Sequence, residues 1–353
     1  MSKTLTTAAP PAAPAKVKPD GPRRPFVACE RLGVLLDMLT YKRVSRSLTE
    51  ERFINRFLRP LPGYTEDEFG NVWIQVGEAP RILWSAHTDS VHHHPGRQTV
   101  EVSAHDVATV KRGSGNCLGA DDAAGVWLLR EMILAGQPGL YIFHREEESG
   151  GHGSSYIARH LAHLLREIRF AVAFDRKGYD SVITHQGDRT ASDAFARSLA
   201  AILNGADQTF RFAPDDSGLF TDTAHYVDLI GECSNVSVGY HMAHGPKESL
   251  DLAFVQRLRD VLVAADFSGL EAARKPGERE PKPVSNFAWS GGWVDDWRTG
   301  YDRPNGGAAR PESNVAALER FIRDNPGAVA DYLDSLGLDV SALEGEIWGA
   351  PFH

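Results

Sequence analysis

From Val27 to about Phe57 apolar residues recur every three to four positions, at Leu32, Leu35, Leu36, Met38 and Leu39, and again after Ser47-Leu48-Thr49-Glu50. That period predicts helix through both stretches. It then gives way to short apolar runs. Residues 71–76 and 81–85 read as strands joined by a turn at Gly77–Pro80, and residues 98–110 alternate as a hairpin or a solvent-facing strand pair would. A helical pattern follows over residues 122–134, with Val126, Leu128, Leu129, Met132 and Ile133 apolar. Beyond it the two patterns alternate. Strands are expected at 140–143, 170–174 and 235–238, and helices at 154–168, 192–203 and 247–264. Apolar strands separated by helices of this length predict an α/β domain with a mixed, mostly parallel central sheet sandwiched by helices. Ligands of such sheets gather beyond the carboxyl ends of the strands.

The two ends of the chain depart from this pattern. Residues 1–24 are rich in Ala, Pro and Thr, lack the apolar core of a secretory signal, and read as a disordered tail. Residues 25–270 hold the expected catalytic domain. Residues 271–283 read as a proline- and charge-rich linker, and residues 284–353 as a partly helical extension carrying Trp289, Trp293, Trp297 and Trp348. No uninterrupted apolar run approaches the roughly 20 residues that a membrane helix needs. The net charge of -9 argues against nucleic acid as a partner. Cys29, Cys117 and Cys233 show no C-x-x-C spacing, which indicates neither a disulfide framework nor a thiolate zinc site and fits a reducing cytoplasm.

The chemistry lies in five short segments where an apolar run ends or a glycine-rich turn begins. They are Ser85-Ala86-His87-Thr88-Asp89, Leu118-Gly119-Ala120-Asp121-Asp122, Glu147-Glu148-Ser149-Gly150, Phe174-Asp175 and His241-Met242-Ala243-His244. Singly, each has an ordinary reading: an Asp-Asp pair before a helix is commonly an N-cap, and a run of glutamates a solvated face. Together, in order and at strand ends, they supply two imidazoles, three carboxylates able to hold metal, and a spare carboxylate beside a ligand. That is the inventory of a two-metal hydrolase. His92, His93 and His94 read as a polar loop beyond the site, and Cys117 as a small buried residue.

The segments "SAHTDSV", "LGADDAAGV" and "EEESGGHGS", within residues 30–265, resemble those of the co-catalytic di-zinc exopeptidases, a superfamily that includes bacterial aminopeptidases, peptidase T and aminoacylases. The resemblance implies a zinc-exopeptidase (phosphorylase/hydrolase-like) fold and two Zn2+ ions, with Co2+ or Mn2+ as possible replacements. It makes His87 a ligand oriented by Asp89, Asp121 the bridge between the metals with a cis peptide bond to Asp122, Glu147 the general base, and Glu148 and Asp175 further ligands. Gly150 and Gly153-Ser154 fix that register and leave Glu146 as the extra residue. The last ligand falls on His244 in preference to His241, because Glu248 follows it. Tyr240 is the expected oxyanion partner, and Asp222 is expected to line the pocket or contact a substrate amine. Three carboxylates and one hydroxide balance two divalent cations, as a site of low dielectric requires.

About seventy residues separate Asp175 from His244, too few for the inserted dimerisation domain of the peptidase T and aminoacylase branches, so the compact aminopeptidase-like branch fits. The expected activity is hydrolysis of a peptide or amide bond in a small peptide, by an aminopeptidase or small-peptide exopeptidase. The alternatives are an N-acyl amino acid deacylase or other amidohydrolase acting on an acylated amino acid, and a non-catalytic binding protein on the same fold. Neither nucleic acid nor membrane is an expected partner, and the oligomeric state is left open.

Overall fold

The computed structural model describes residues 30–280 and 322–323. The expected N-terminal tail and nearly all of the tryptophan-rich extension lie outside the described residues. Two helices open the described chain, α1 (Glu30–Met38) and α2 (Leu48–Phe57), the second starting where Ser47 accepts the Glu50 N–H at 3.2 Å. The main sheet uses eight strands: β1 (Thr65–Glu66), β2 (Val72–Val76), β3 (Ile82–His87), β4 (Gly139–His144), β5 (Phe170–Arg176), β6 (Ser181–Ile183), β7 (Ala213–Asp215) and β8 (Glu232–Ser237). Their order across the sheet is β7-β6-β8-β5-β3-β4-β2-β1. The central four, β8-β5-β3-β4, are parallel. The flanks are not: β6 runs antiparallel to β8, and β2 antiparallel to β4. β2 and β3 are joined by a short turn yet do not pair, because β4 lies between them.

Side chains along the central strands alternate between two cores, the period of a sheet covered on both faces. Trp84, Tyr141, Phe143, Val172 and Phe174 face the larger core with α1, α2, α3 (Ala120–Ala135), α5 (Asp193–Ala206) and α6 (Leu252–Leu262). Leu83, Leu140, Ile142 and Ala171 face the smaller one with α4 (His152–His160) and the turns around Leu165 and Tyr226. α3 is buried on nearly every side and packs on β3, β5, α1 and α6, which fixes its first turn against the carboxyl ends of the strands.

Two expected helices are shorter than their periodicity. The residues 154–168 helix ends at His160, and a 3-10 turn, Ala162–Leu165, completes it. Of residues 247–264, Ser249–Asp251 is a strand paired with Val107–Val110, and α6 begins only where Asp251 accepts the Phe254 N–H at 2.9 Å. That pairing belongs to a second, four-stranded sheet, which also takes in Val100–Val102 and Tyr240–His241. Residues 271–280, expected as linker, lie against the domain: Arg274 is buried, and its N–H and that of Ala273 donate to Glu232 Oε1 at 2.8 and 2.7 Å. Between Asp175 and His244 the chain adds only β6, α5, β7, β8 and short turns, with no inserted domain. No helix among the described residues is long and apolar enough to cross a membrane.

Candidate metal centre

Three adjacent parallel strands deliver the first groups. β3 ends on His87, β5 carries Asp175 near its end, and β4 runs into the turn holding Glu147 and Glu148. Asp121 comes from the opening of α3, where the Asp121–Asp122 peptide bond is cis and neither residue has helical torsions. His244 lies on the loop of the second sheet, between Tyr240–His241 and Ser249–Asp251.

The groups converge as two triads that share Asp121. Its Oδ1 stands 3.1 Å from His87 Nε2, which is 3.7 Å from Asp175 Oδ1. Its Oδ2 stands 3.2 Å from His244 Nε2, which is also 3.2 Å from Glu148 Oε2. Donors 2.0–2.2 Å from one tetrahedral zinc lie roughly 3.3–3.6 Å from one another. The separations in both triads, 3.1 and 3.7 Å in one and 3.2 Å twice in the other, fall close to either side of that spacing. Each triad has N and O donors, and Asp121 offers one oxygen to each. Glu148 Oε1 is buried without a hydrogen-bond partner, a group that a cation would satisfy. The residues therefore fit a pair of divalent cations.

The electrostatics point the same way. Burial and the charge of Asp121 push Asp175 up to about 7. Burial, with Asp175, Asp222 and Glu148 nearby, raises Glu147 well above the ordinary carboxylate range against the pull of His87. Asp121 and Glu148 hold a proton on His244 up to about 11. Burial works against a charge on His87, yet Asp121, Asp175 and Asp89 raise it well above the usual imidazole range. Carboxylates outnumber positive groups here, and each retained proton answers that excess. Divalent cations would answer it with more charge and from between the same atoms.

Around the triads stand groups whose partners are mostly backbone. Asp89 Oδ1 lies 3.5 Å from His87 Nδ1, and the two Asp89 oxygens accept the N–H groups of Glu147 and Glu148 at 3.1 and 3.3 Å. Asp89 thus ties the end of β3 to the turn that carries the expected base. Asp122 accepts the His87 N–H at 3.1 Å. Tyr240 is buried and donates its hydroxyl to Asp175 Oδ1 at 3.2 Å, so it can serve an oxyanion only by giving up that bond. Asp222 is buried against His144, 3.2 Å away, and one of its oxygens is unpartnered. Glu146 turns outward to Arg46 and to His152, the latter at 2.8 Å. His241 stands beside Tyr179 and away from both triads. Burial pushes the Cys117 thiol up to about 12, which leaves it inert.

Sequence reasoning missed four supports. Glu248, noted only as following His244, accepts the N–H groups of Leu118 and Gly119 at 2.9 Å and of Asp121 at 3.1 Å. Asn235 brackets Asp175, accepting its N–H at 2.9 Å and donating to its carbonyl at 2.7 Å. Thr221 donates to Asp175 Oδ2 at 2.7 Å. Arg43, fully buried, donates to the carbonyls of Thr88 at 2.8 Å and Gly119 at 2.9 Å, clasping the loops of His87 and Asp121 together. Nothing local marked Asn235, which opens an expected strand behind Glu232-Cys233-Ser234, or Arg43.

The fold has counterparts among solved structures. Aminopeptidase PepT from Bacillus cereus ATCC 10987 superposes with a TM-score of 0.50 at 12% identity, over 66% of this chain and 96% of that one. A tripeptidase from Staphylococcus aureus subsp. aureus mu50 does so with 0.52 at 14%, again over 66% and 96%. The chain has the fold of these peptidases. It is the α/β fold that the resemblance to di-zinc exopeptidases implies. No family model and no curated protein matches the sequence.

Proposed function

We propose that the protein is a metal-dependent hydrolase of peptide bonds in small peptides, an aminopeptidase or other exopeptidase. The observation that carries this reading is the shared carboxylate: Asp121 presents one oxygen to His87 and the other to His244, each within 3.2 Å. His87, Asp121 and Asp175 would hold one zinc ion, and Asp121, Glu148 and His244 the other. Bound there, two cations supply Lewis acidity to a water and to a scissile carbonyl.

The chain's own residues do the rest. Glu147 is fixed through its backbone by Asp89, and its carboxylate makes no hydrogen bond among the described residues. It is free to take a proton from the attacking water and return it to the leaving amine. Its raised proton affinity suits both halves of that transfer. Tyr240, Thr221 and Asn235 hold Asp175 in place. Cysteine usage supports a cytoplasmic setting.

Purified protein reconstituted with zinc should hold two equivalents and hydrolyse short peptides. Glu147→Gln should keep both equivalents while turnover falls at least roughly 100-fold. Persisting activity in that variant would show that another group is the base. Fewer than one equivalent of zinc would favour the binding-protein reading, and activity confined to N-acetylated amino acids would favour the deacylase.

A further inference from the structure

Leu219 and Phe220 are consecutive large apolar residues left exposed, 77% and 36% accessible. Their loop is held at three points. Gly218 lies so close to the strand beside it that a Cβ there would stand 2.1 Å from the His185 carbonyl oxygen and 2.3 Å from Ile183 Cγ2. Ser217 receives Arg176 Nη2 on its carbonyl at 3.1 Å and on its hydroxyl at 3.0 Å. Thr221 is bonded to Asp175. Two of the three anchors run to Asp175 and its chain neighbour, so the loop is fixed relative to the first triad.

The Phe220 ring reaches the other side of the centre. A Cβ on Gly151 would stand 2.6 Å from Phe220 Cζ, and Gly151 closes the turn that begins with Glu147 and Glu148. The ring also stands edge-on to His225, with centroids 5.0 Å apart and planes at 67°. It therefore lies along the rim from Asp175 to the turn of the expected base. An exposed leucine on a loose loop carries no message, but an apolar pair on a clamped loop beside a charged centre is surface built to be covered.

We propose that Leu219 and Phe220 form the apolar wall of a substrate subsite, which receives a leucine- or phenylalanine-sized side chain adjoining the scissile bond. The inference rests on the peptidase reading above and names its substrate class: short peptides with a bulky apolar residue next to the bond cleaved. A hydrophobic contact of this kind discriminates by about 10- to 200-fold.

The test compares zinc-loaded full-length protein with its Phe220→Ala and Phe220→Leu variants on Leu-Ala-Ala, Phe-Ala-Ala, Ala-Leu-Ala and Ala-Ala-Ala. The wild type should prefer a leucine or phenylalanine peptide over trialanine by at least about 10-fold. Phe220→Ala should lose most of that preference through KM, with zinc content unchanged and trialanine hydrolysis falling far less than that of the leucine and phenylalanine peptides, and Phe220→Leu should keep it. A preference unchanged in Phe220→Ala overturns the subsite, as does an equal loss on every peptide. Wild-type protein that cleaves none of the four removes the peptidase reading itself, an outcome distinct from a failed subsite.

Discussion

At the scale of single residues, hydrogen bonding settles protonation where titration would otherwise leave a choice. Gln98 donates its amide to the carbonyls of Leu39 and Leu118 at 2.9 and 2.8 Å, so its oxygen must accept from His92 Nε2, 3.1 Å away. His92 Nδ1 then accepts from Ser90 at 2.7 Å, and the ring is neutral. Burial and the neighbouring Arg43 charge push His92 down to about 4. The folded value lies below the unfolded one, so between about 6.5 and 4 the unfolded chain binds the extra proton. The contribution of His92 to stability is therefore complete above about pH 6.5 and lost as pH falls toward 4. It amounts to about 3 kcal/mol over that window. Urea unfolding of wild type and His92→Asn at pH 7.5 and 4.5 measures it. The wild type should lose more stability than the variant on acidification, and parallel losses would mean that His92 titrates normally.

At the scale of elements, the centre depends on joints between segments distant in the chain. Glu248, just ahead of Ser249–Asp251, binds three N–H groups on the approach to α3, about 130 residues earlier. Glu248→Gln keeps the size of the side chain but turns an NH2 group toward at least one of those donors. It should loosen Asp121 and weaken zinc binding at least about tenfold, since a hydrogen bond to a charged acceptor contributes about 1.5–3 kcal/mol. Competition with a chromogenic chelator reads this directly, and unchanged affinity would make Glu248 a bystander. The same joints explain what could be read without coordinates. His87, Asp121, Glu148, Asp175 and His244 follow apolar runs or open glycine-rich turns, so position and residue type marked them. Glu248 and Arg43 act on backbone atoms 45 to 130 residues away, and no local pattern encodes that. Pairing order was hidden for a related reason: β4 enters between β2 and β3, a choice made by packing across some sixty residues. Residues 247–251 carry a helical period that yields to pairing with Val107–Val110.

At the scale of the whole molecule, the question is where the domain ends. Glu232 is fully buried, and four hydrogen bonds hold its carboxylate, two from Ser192 at 2.7 and 2.9 Å and two from the N–H groups of Ala273 and Arg274. Arg274 further donates to the carbonyls of Gly231 and Glu278, and Glu280 pairs with Arg189. A boundary placed at residue 270 therefore cuts through an interior, whereas one placed after residue 283 leaves these contacts whole. Two truncations separate these readings. Removing residues 284–353 should leave zinc stoichiometry intact and the melting temperature within a few degrees. Removing residues 271–353 strips two donors from a buried carboxylate, a loss of about 3–5 kcal/mol. For a domain of this size that lowers the melting temperature by at least about 6 °C. If both truncations destabilise the protein equally, the decisive contacts lie beyond residue 283, and the tryptophan-rich segment is part of the core rather than an appendage to it.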